Sequence, residues 1–256
     1  MTLSRRDILK ASSIGAVPVL TALSGCQTTM PPTKPELNKY SEHFLGPEND
    51  PVFNRSSTET HKITIGDQPS RHQEVTKAFR LLWDAPRTDN HYNIAQYFEG
   101  ITDTNPLERN YSGSIAKYNE EWTSRANPLI TAFFGMTNTR PSYGDQTAWC
   151  AAFVSFVLYA GNKPNMFSAL SGSYRNYLTA TTNPKIGDIV VFEKYGEAGA
   201  NGFGHVGFFV SETDSNVTVL GGNQRGNTGS SGAVVKSVYA KIGRTQKLHS
   251  YRSVPL

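Results

Sequence analysis

Of the two cysteines in this 256-residue chain, Cys150 heads an apolar run that ends at Ala160, inside the stretch from Gly144 to Gly161. A thiol in the first turn of a helix sits in the positive field of unpaired amides, which favours the nucleophilic thiolate. A helix directed into the core would fix that sulfur at the edge of a cleft. Such a nucleophile needs an imidazole to take its proton and hand it to a leaving amine. Among the six histidines, His43 and His61 fall in or beside a polar segment, His72 and His91 flank expected helices, and His249 lies in the last expected strand. His205 differs: glycine-rich backbone, Gly-Phe-Gly, delivers it to the start of the apolar run Val206 to Val210. The next strand closes in Leu-Gly-Gly-Asn-Gln, and two strands joined by the turn at Asp214 would bring His205 and Asn223 to one end of a sheet. Asn223 is then the candidate acceptor for the second imidazole N–H, although an Asn after two glycines also suits a plain turn. Cys150 taken alone also fits a small buried hydrophobe. Asp145 and Gln146 are candidates for a helix cap or a cleft wall, Gln146 also for a second oxyanion donor, and Trp149 reads first as packing and second as a substrate contact.

The elements that must hold these residues follow from periodicity. Val75, Phe79 and Leu82 share one face of an expected helix from Glu74 to Trp83, and a shorter helix is expected around Ile94 to Phe98. A longer helical pattern runs from Ile115 through Trp122 to Phe134, split at Pro128. The segment Trp149 to Ala160 is apolar on nearly every face, and Gly161 is a natural stop. Beyond it the period drops to two. Strands are expected at GDIVVFEK, HVGFFVSE, NVTVLGG, AVVKSVYA and KLHSYRSV, with a further short one at HKITIG, His61 to Gly66. One buried helix followed by about five short strands with tight connections argues for an α+β domain, an antiparallel sheet with helices packed at one side.

The formal charge is +4, of which residues 1–25 carry a net +2 through Arg5, Arg6 and Lys10 against Asp7. The remainder is too weakly basic, and too free of basic stripes, to suggest nucleic acid as a partner. Neither a His-Glu-x-x-His pair nor a cysteine pair occurs, so no metal and no cofactor is expected. Adjacent arginines ahead of the short apolar run Ala11 to Leu23 resemble a bacterial twin-arginine export signal. The run closes in Leu-Ser-Gly-Cys, which looks like a lipobox and implies lipidation at Cys26. A lipidated Cys26 cannot bridge to Cys150, which leaves a lone free thiol in an exported protein. The expected organisation is a signal peptide over 1–25, a flexible Pro- and Thr-rich tether over 26–60, a helical extension over 61–126 and a catalytic domain over 127–256.

TAWCAAFVSFVLYAG, GDIVVF, GFGHVGFFV and LGGNQ together resemble the CHAP family, cysteine- and histidine-dependent amidohydrolases and peptidases related to NlpC-type cell-wall peptidases. The resemblance covers about residues 127–255. It implies a papain-like α+β fold with the nucleophile's helix packed on a small antiparallel sheet. Carried over by position, it implies Cys150 as nucleophile, His205 as base and Asn223 as the orienting residue, with Gln224 the weaker candidate for the third role. It further implies cleavage of an amide of peptidoglycan, either the muramoyl to L-alanine bond or a link in the stem peptide. The compartment agrees: a monomeric lipoprotein, exported and held to a membrane by its anchor, meets the cell wall first. Two other readings use the same residues, a non-catalytic wall-binding lipoprotein and an acyl transferase.

Overall fold

The computed structural model describes residues 69–225 and 232–255. The signal, Cys26, the tether and the strand expected at 61–66 lie outside the described residues. Helix α1 spans Pro69–Trp83, α2 His91–Glu99, α3 Pro128–Phe133, α4 Cys150–Ala160 and α5 Gly196–Ala200. A hairpin is built from β1, Thr104–Arg109, and β2, Ile115–Lys117. The main sheet comprises β3 Ala180–Thr181, β4 Ile189–Lys194, β5 Gly204–Glu212, β6 Asn216–Gln224, β7 Ala233–Ala240 and β8 Gln246–Arg252. Its order is β3-β8-β4-β5-β6-β7, with every pair antiparallel. The architecture is α+β, with one buried helix lying on an antiparallel sheet.

Strand β4 is apolar without alternation because both of its faces are covered. Ile189 and Val191 join α4, Val206, Phe208 and Leu220 in the main core, while Val190 and Phe192 join Phe209, Val217, Val219 and Tyr251 on the opposite face. Helix α4 buries Ala151, Ala152, Phe153, Val154, Val157 and Leu158 completely, which explains a sequence apolar nearly all round. Gly161 ends it for a steric reason: a Cβ there would lie 2.8 Å from that of His91 at the head of α2. Gly187 opens β4 at φ +93, a conformation that favours glycine.

Residues 69–126 share this core rather than standing beside it. Ala78, Leu81, Ile94, Ala95, Phe98 and Trp122 belong to the same buried cluster as Phe133 and Phe153, so the core runs straight across the 126/127 boundary. Phe98 makes edge-to-face contacts with Phe133, Phe153 and Phe156 at centroid distances of 5.3, 6.2 and 5.6 Å. Replacing this fully buried ring by alanine is expected to cost about 3–5 kcal/mol in a urea titration of the whole chain. A loss under about 1 kcal/mol would mean that α2 does not share the catalytic core.

The helical pattern from Ile115 to Phe134 is not a helix in its first half. Ile115–Lys117 is a strand, and helix resumes only at Pro128, where Asn127 caps the new turn by accepting the Leu129 N–H at 2.9 Å. Residues 119–121 instead run antiparallel along the start of β7: Val234 N–H donates to Asn119 O at 2.8 Å, and Glu121 N–H to Gly232 O at 2.8 Å. The segment expected as a helical extension thus supplies a hairpin and an edge to the sheet as well as two helices.

Candidate active site

Cys150 is the first residue of α4, only 6% exposed, with Trp149 before it giving no side-chain cap. The amides of Val206, Ala151 and Cys150 itself donate toward its sulfur. Burial outweighs them and pushes the thiol above its ordinary value. The expectation that the helix end would by itself favour thiolate is therefore corrected. The amides do act in that direction, but desolvation of a buried sulfur is larger.

His205 sits on β5 opposite Phe192 of β4 and directly before Val206, whose amide meets the Cys150 sulfur. Its ring is buried against Tyr239 of β7, with centroids 5.1 Å apart at 34°, and Phe192, at 6.5 Å and 35°. Nε2 lies 3.0 Å from Oε1 of Gln224. The Gln224 amide nitrogen donates to Val219 O at 3.1 Å, to Gly221 O at 3.1 Å and to Val235 O. Three carbonyls can only face an N–H, so the Gln224 oxygen must face the imidazole. An oxygen can only accept, so Nε2 carries the ring proton and Nδ1 keeps its lone pair. That tautomer leaves Nδ1 as the ring atom able to accept a proton.

Burial drives His205 down to about 4, although its bond to Gln224 works the other way. An unfolded chain would protonate this ring near 6.5, so between pH 6.5 and 4 the unfolded state binds more protons. Stability from this group is full above about pH 6.5 and is lost as pH falls toward 4, a total of about 3 kcal/mol. His91, also buried and also lowered, acts in the same sense. Urea unfolding at pH 7.5 and 4.5 should show a steeper loss for the native chain than for His205→Ala, with His91 common to both. Equal losses in the two proteins would show that His205 is not buried neutral.

Asn223 does not meet the histidine, which corrects its assignment as the orienting residue. Register slips between Gly221 and Gln224 of β6 against β7, and Asn223 adopts φ +56. That bulge turns the Asn223 side chain away and lets Gln224 take the place facing the ring. The Asn223 carboxamide has its oxygen 3.2 Å from the Trp149 backbone nitrogen and its nitrogen 3.2 Å from Oε1 of Glu121, the one orientation that joins donor to acceptor at both ends.

The remaining candidates divide. Trp149 is fully buried, stacked on Phe133 at 6.1 Å, and its indole N–H donates to Glu121 Oε1 at 3.0 Å, so it is packing and not a substrate contact. Gly222 lies so close under the indole that a Cβ there would collide with it. Asp145 is fully buried and neither caps α4 nor lines a cleft: its Oδ2 accepts the backbone N–H of Trp122 at 3.1 Å and of Asn127 at 3.0 Å. Gln146 is exposed on the 3-10 turn Gly144–Gln146 that leads to α4. Two residues near the site were missed in the sequence. Tyr239 carried only a strand signal, and Glu121 sat inside a pattern read as helix. Among the described residues, no group of three or more His, Cys, Asp or Glu could hold a metal ion.

No curated protein and no solved structure matches the chain. Residues 142–223 match the family model of the CHAP domain, a span that contains Cys150, His205 and Asn223 and stops one residue before Gln224. CHAP domains are hydrolases, usually cysteine-dependent, and as a family they are amidases and peptidases of the cell wall that act on peptidoglycan. The segment that places Cys150 beside the strand of His205 is thus similar to the CHAP domain over residues 142–223.

Proposed function

We propose that this protein is an exported peptidoglycan hydrolase, anchored to a membrane through Cys26, that cuts an amide of the wall by way of an acyl-enzyme. Nδ1 of His205 takes the proton of the Cys150 thiol as the sulfur attacks the amide carbonyl. The developing oxyanion is met at the head of α4, where backbone amides are unpaired within the helix. His205 then gives the proton to the departing amine. Water, deprotonated by the same ring, releases the acyl group and restores the thiol. Gln224 holds the ring through Nε2 in both steps.

The observation that carries this reading is the fixed tautomer of His205: Gln224, locked by three carbonyls, leaves Nδ1 as the only proton acceptor of the ring. The test is digestion of purified peptidoglycan by the soluble chain lacking residues 1–26, with Cys150→Ala in parallel and products read by mass spectrometry. New products from the native protein alone are expected, and their masses name the bond cut. Equal digestion by both, or none by either across walls of several stem-peptide types with reductant present, would overturn the proposal.

A further inference from the structure

We propose that Glu121 and Asn223 form a positioning pair for the nucleophile, separate from the Gln224 that positions the base. The proposal rests on Cys150 being the nucleophile. The residue immediately before Cys150 is held from outside the helix: with the Asn223 amide in the orientation that matches donor to acceptor at both ends, the Trp149 N–H donates to the Asn223 oxygen at 3.2 Å and the Asn223 nitrogen donates to Glu121 Oε1 at 3.2 Å. The same carboxylate oxygen accepts the Trp149 indole N–H at 3.0 Å, and Oε2 accepts the Gly232 N–H at 3.1 Å. Glu121 therefore fixes both the backbone and the side chain of the residue that precedes the sulfur.

These bonds need a carboxylate. Trp149 Nε1, Gly232 N–H and the Asn223 amide are all donors, and a side chain that meets three donors with two oxygens can have no N–H among its own atoms without losing one of them. They also need Asn223 to be an amide, because it accepts at one end and donates at the other. The left-handed backbone at Asn223, φ +56, is a second constraint that asparagine tolerates better than most residues. The three groups that donate to the Glu121 carboxylate, the Asn223 amide, the Trp149 indole and the Gly232 N–H, are neutral, so a new charge at position 223 would replace one of these donors by a like charge.

The consequence is a set of variants in the full chain, each measured for kcat, for KM and for the rate at which iodoacetamide alkylates Cys150. Asn223→Asp sets two carboxylates about 3 Å apart, which forces them to share a proton and raises the pKa of one. At pH 8 kcat should fall at least about tenfold with KM within about twofold, because a sulfur held slightly off line loses rate and not binding. Toward pH 5.5 the deficit relative to the native protein should shrink as the shared proton returns. Adding Glu121→Gln to Asn223→Asp should restore part of the pH 8 rate, since it removes the repulsion. Alkylation of Cys150 should follow the same pattern without any substrate. If Asn223→Asp does not fold, Glu121→Gln alone carries the test, with kcat expected to fall severalfold at constant KM. A normal kcat in both single variants, or a deficit in Asn223→Asp that is the same at every pH and is not relieved by Glu121→Gln, would overturn the pairing. An inactive Cys150→Ala beside fully active single variants would defeat the pairing and leave the proposed hydrolase standing.

Discussion

Cys150→Ser is expected to fold and to lose at least about 10⁴-fold in turnover, the scale seen when a nucleophile acting with its base is removed. Folding should survive because the hydroxyl is smaller than the thiol and can accept from the same amides, those of Val206 and Ala151, that surround the sulfur. Turnover should not. The ring that must take the proton is held down to about 4, far too weak a base for an alcohol, which gives up its proton much less readily than a thiol. The measurement pairs peptidoglycan digestion with a melting curve. A midpoint within a few degrees of the native protein alongside lost digestion is the expected result. A serine variant that digests the wall at more than about a hundredth of the native rate would mean that Cys150 is not the attacking group.

The same two directions decide where the proton rests before substrate arrives. Burial raises the thiol and lowers the imidazole, so both members of the pair are neutral at pH 7. The Val206, Ala151 and Cys150 amides at the sulfur favour a thiolate, yet burial outweighs them and keeps the thiol protonated. In the proposed hydrolase, proton transfer to Nδ1 would then belong to the attack itself. In that proposal the preorganised amides at the head of α4 would act where charge develops, on the sulfur and on the oxyanion, which a rigid apolar helix is suited to supply.

Much of this was legible in the chain. The drop to period two after Gly187 marked the strands from Ile189 to Arg252, and the apolar run after Cys150 marked the buried helix, because one-sided and two-sided burial write themselves directly into residue order. Cys150 and His205 were singled out because each stands at the head of an element, and the structure brings the strand of His205 to the Cys150 sulfur through the Val206 amide. The third residue could not be settled. A bulge at Gly221 to Gln224 moves one residue across the sheet, and nothing in Leu-Gly-Gly-Asn-Gln says whether it is present. Ile115, Tyr118 and Trp122 fall at helical spacing by coincidence: Ile115 is half exposed on a hairpin, while Trp122 is fixed through its indole N–H to Lys117 O at 2.9 Å. Glu121 was hidden for the same reason, since the groups that give it meaning lie 28 and 111 residues away, on the residue just before α4 and the residue just before β7.

Gln224→Glu tests the feature on which the base depends. The substitution keeps shape and replaces an NH₂ by an oxygen at a position only 1% exposed and faced by the carbonyls of Val219, Gly221 and Val235. An ionised carboxylate at this position would turn an acceptor on three acceptors and bury a charge, whereas a neutral carboxyl has a single O–H for three oxygens. Either way the expected cost is about 3 kcal/mol or more in urea unfolding at pH 7. The second oxygen would face Nε2 of His205, and a carboxylate there favours the protonated ring, so the histidine should titrate well above its native value of about 4. The acid limb of the activity profile should move to higher pH by the same amount, because the base is lost as soon as Nδ1 is occupied. NMR titration of the His205 ring and the pH profile of digestion read the two effects independently. A Gln224→Glu protein as stable as the native one, with His205 unmoved, would show that the amide does not fix the ring and that Nδ1 is not set as the acceptor. A less stable protein with a raised histidine and a shifted acid limb would tie the chemistry of Cys150 to three carbonyls of β6 and β7 that never touch substrate.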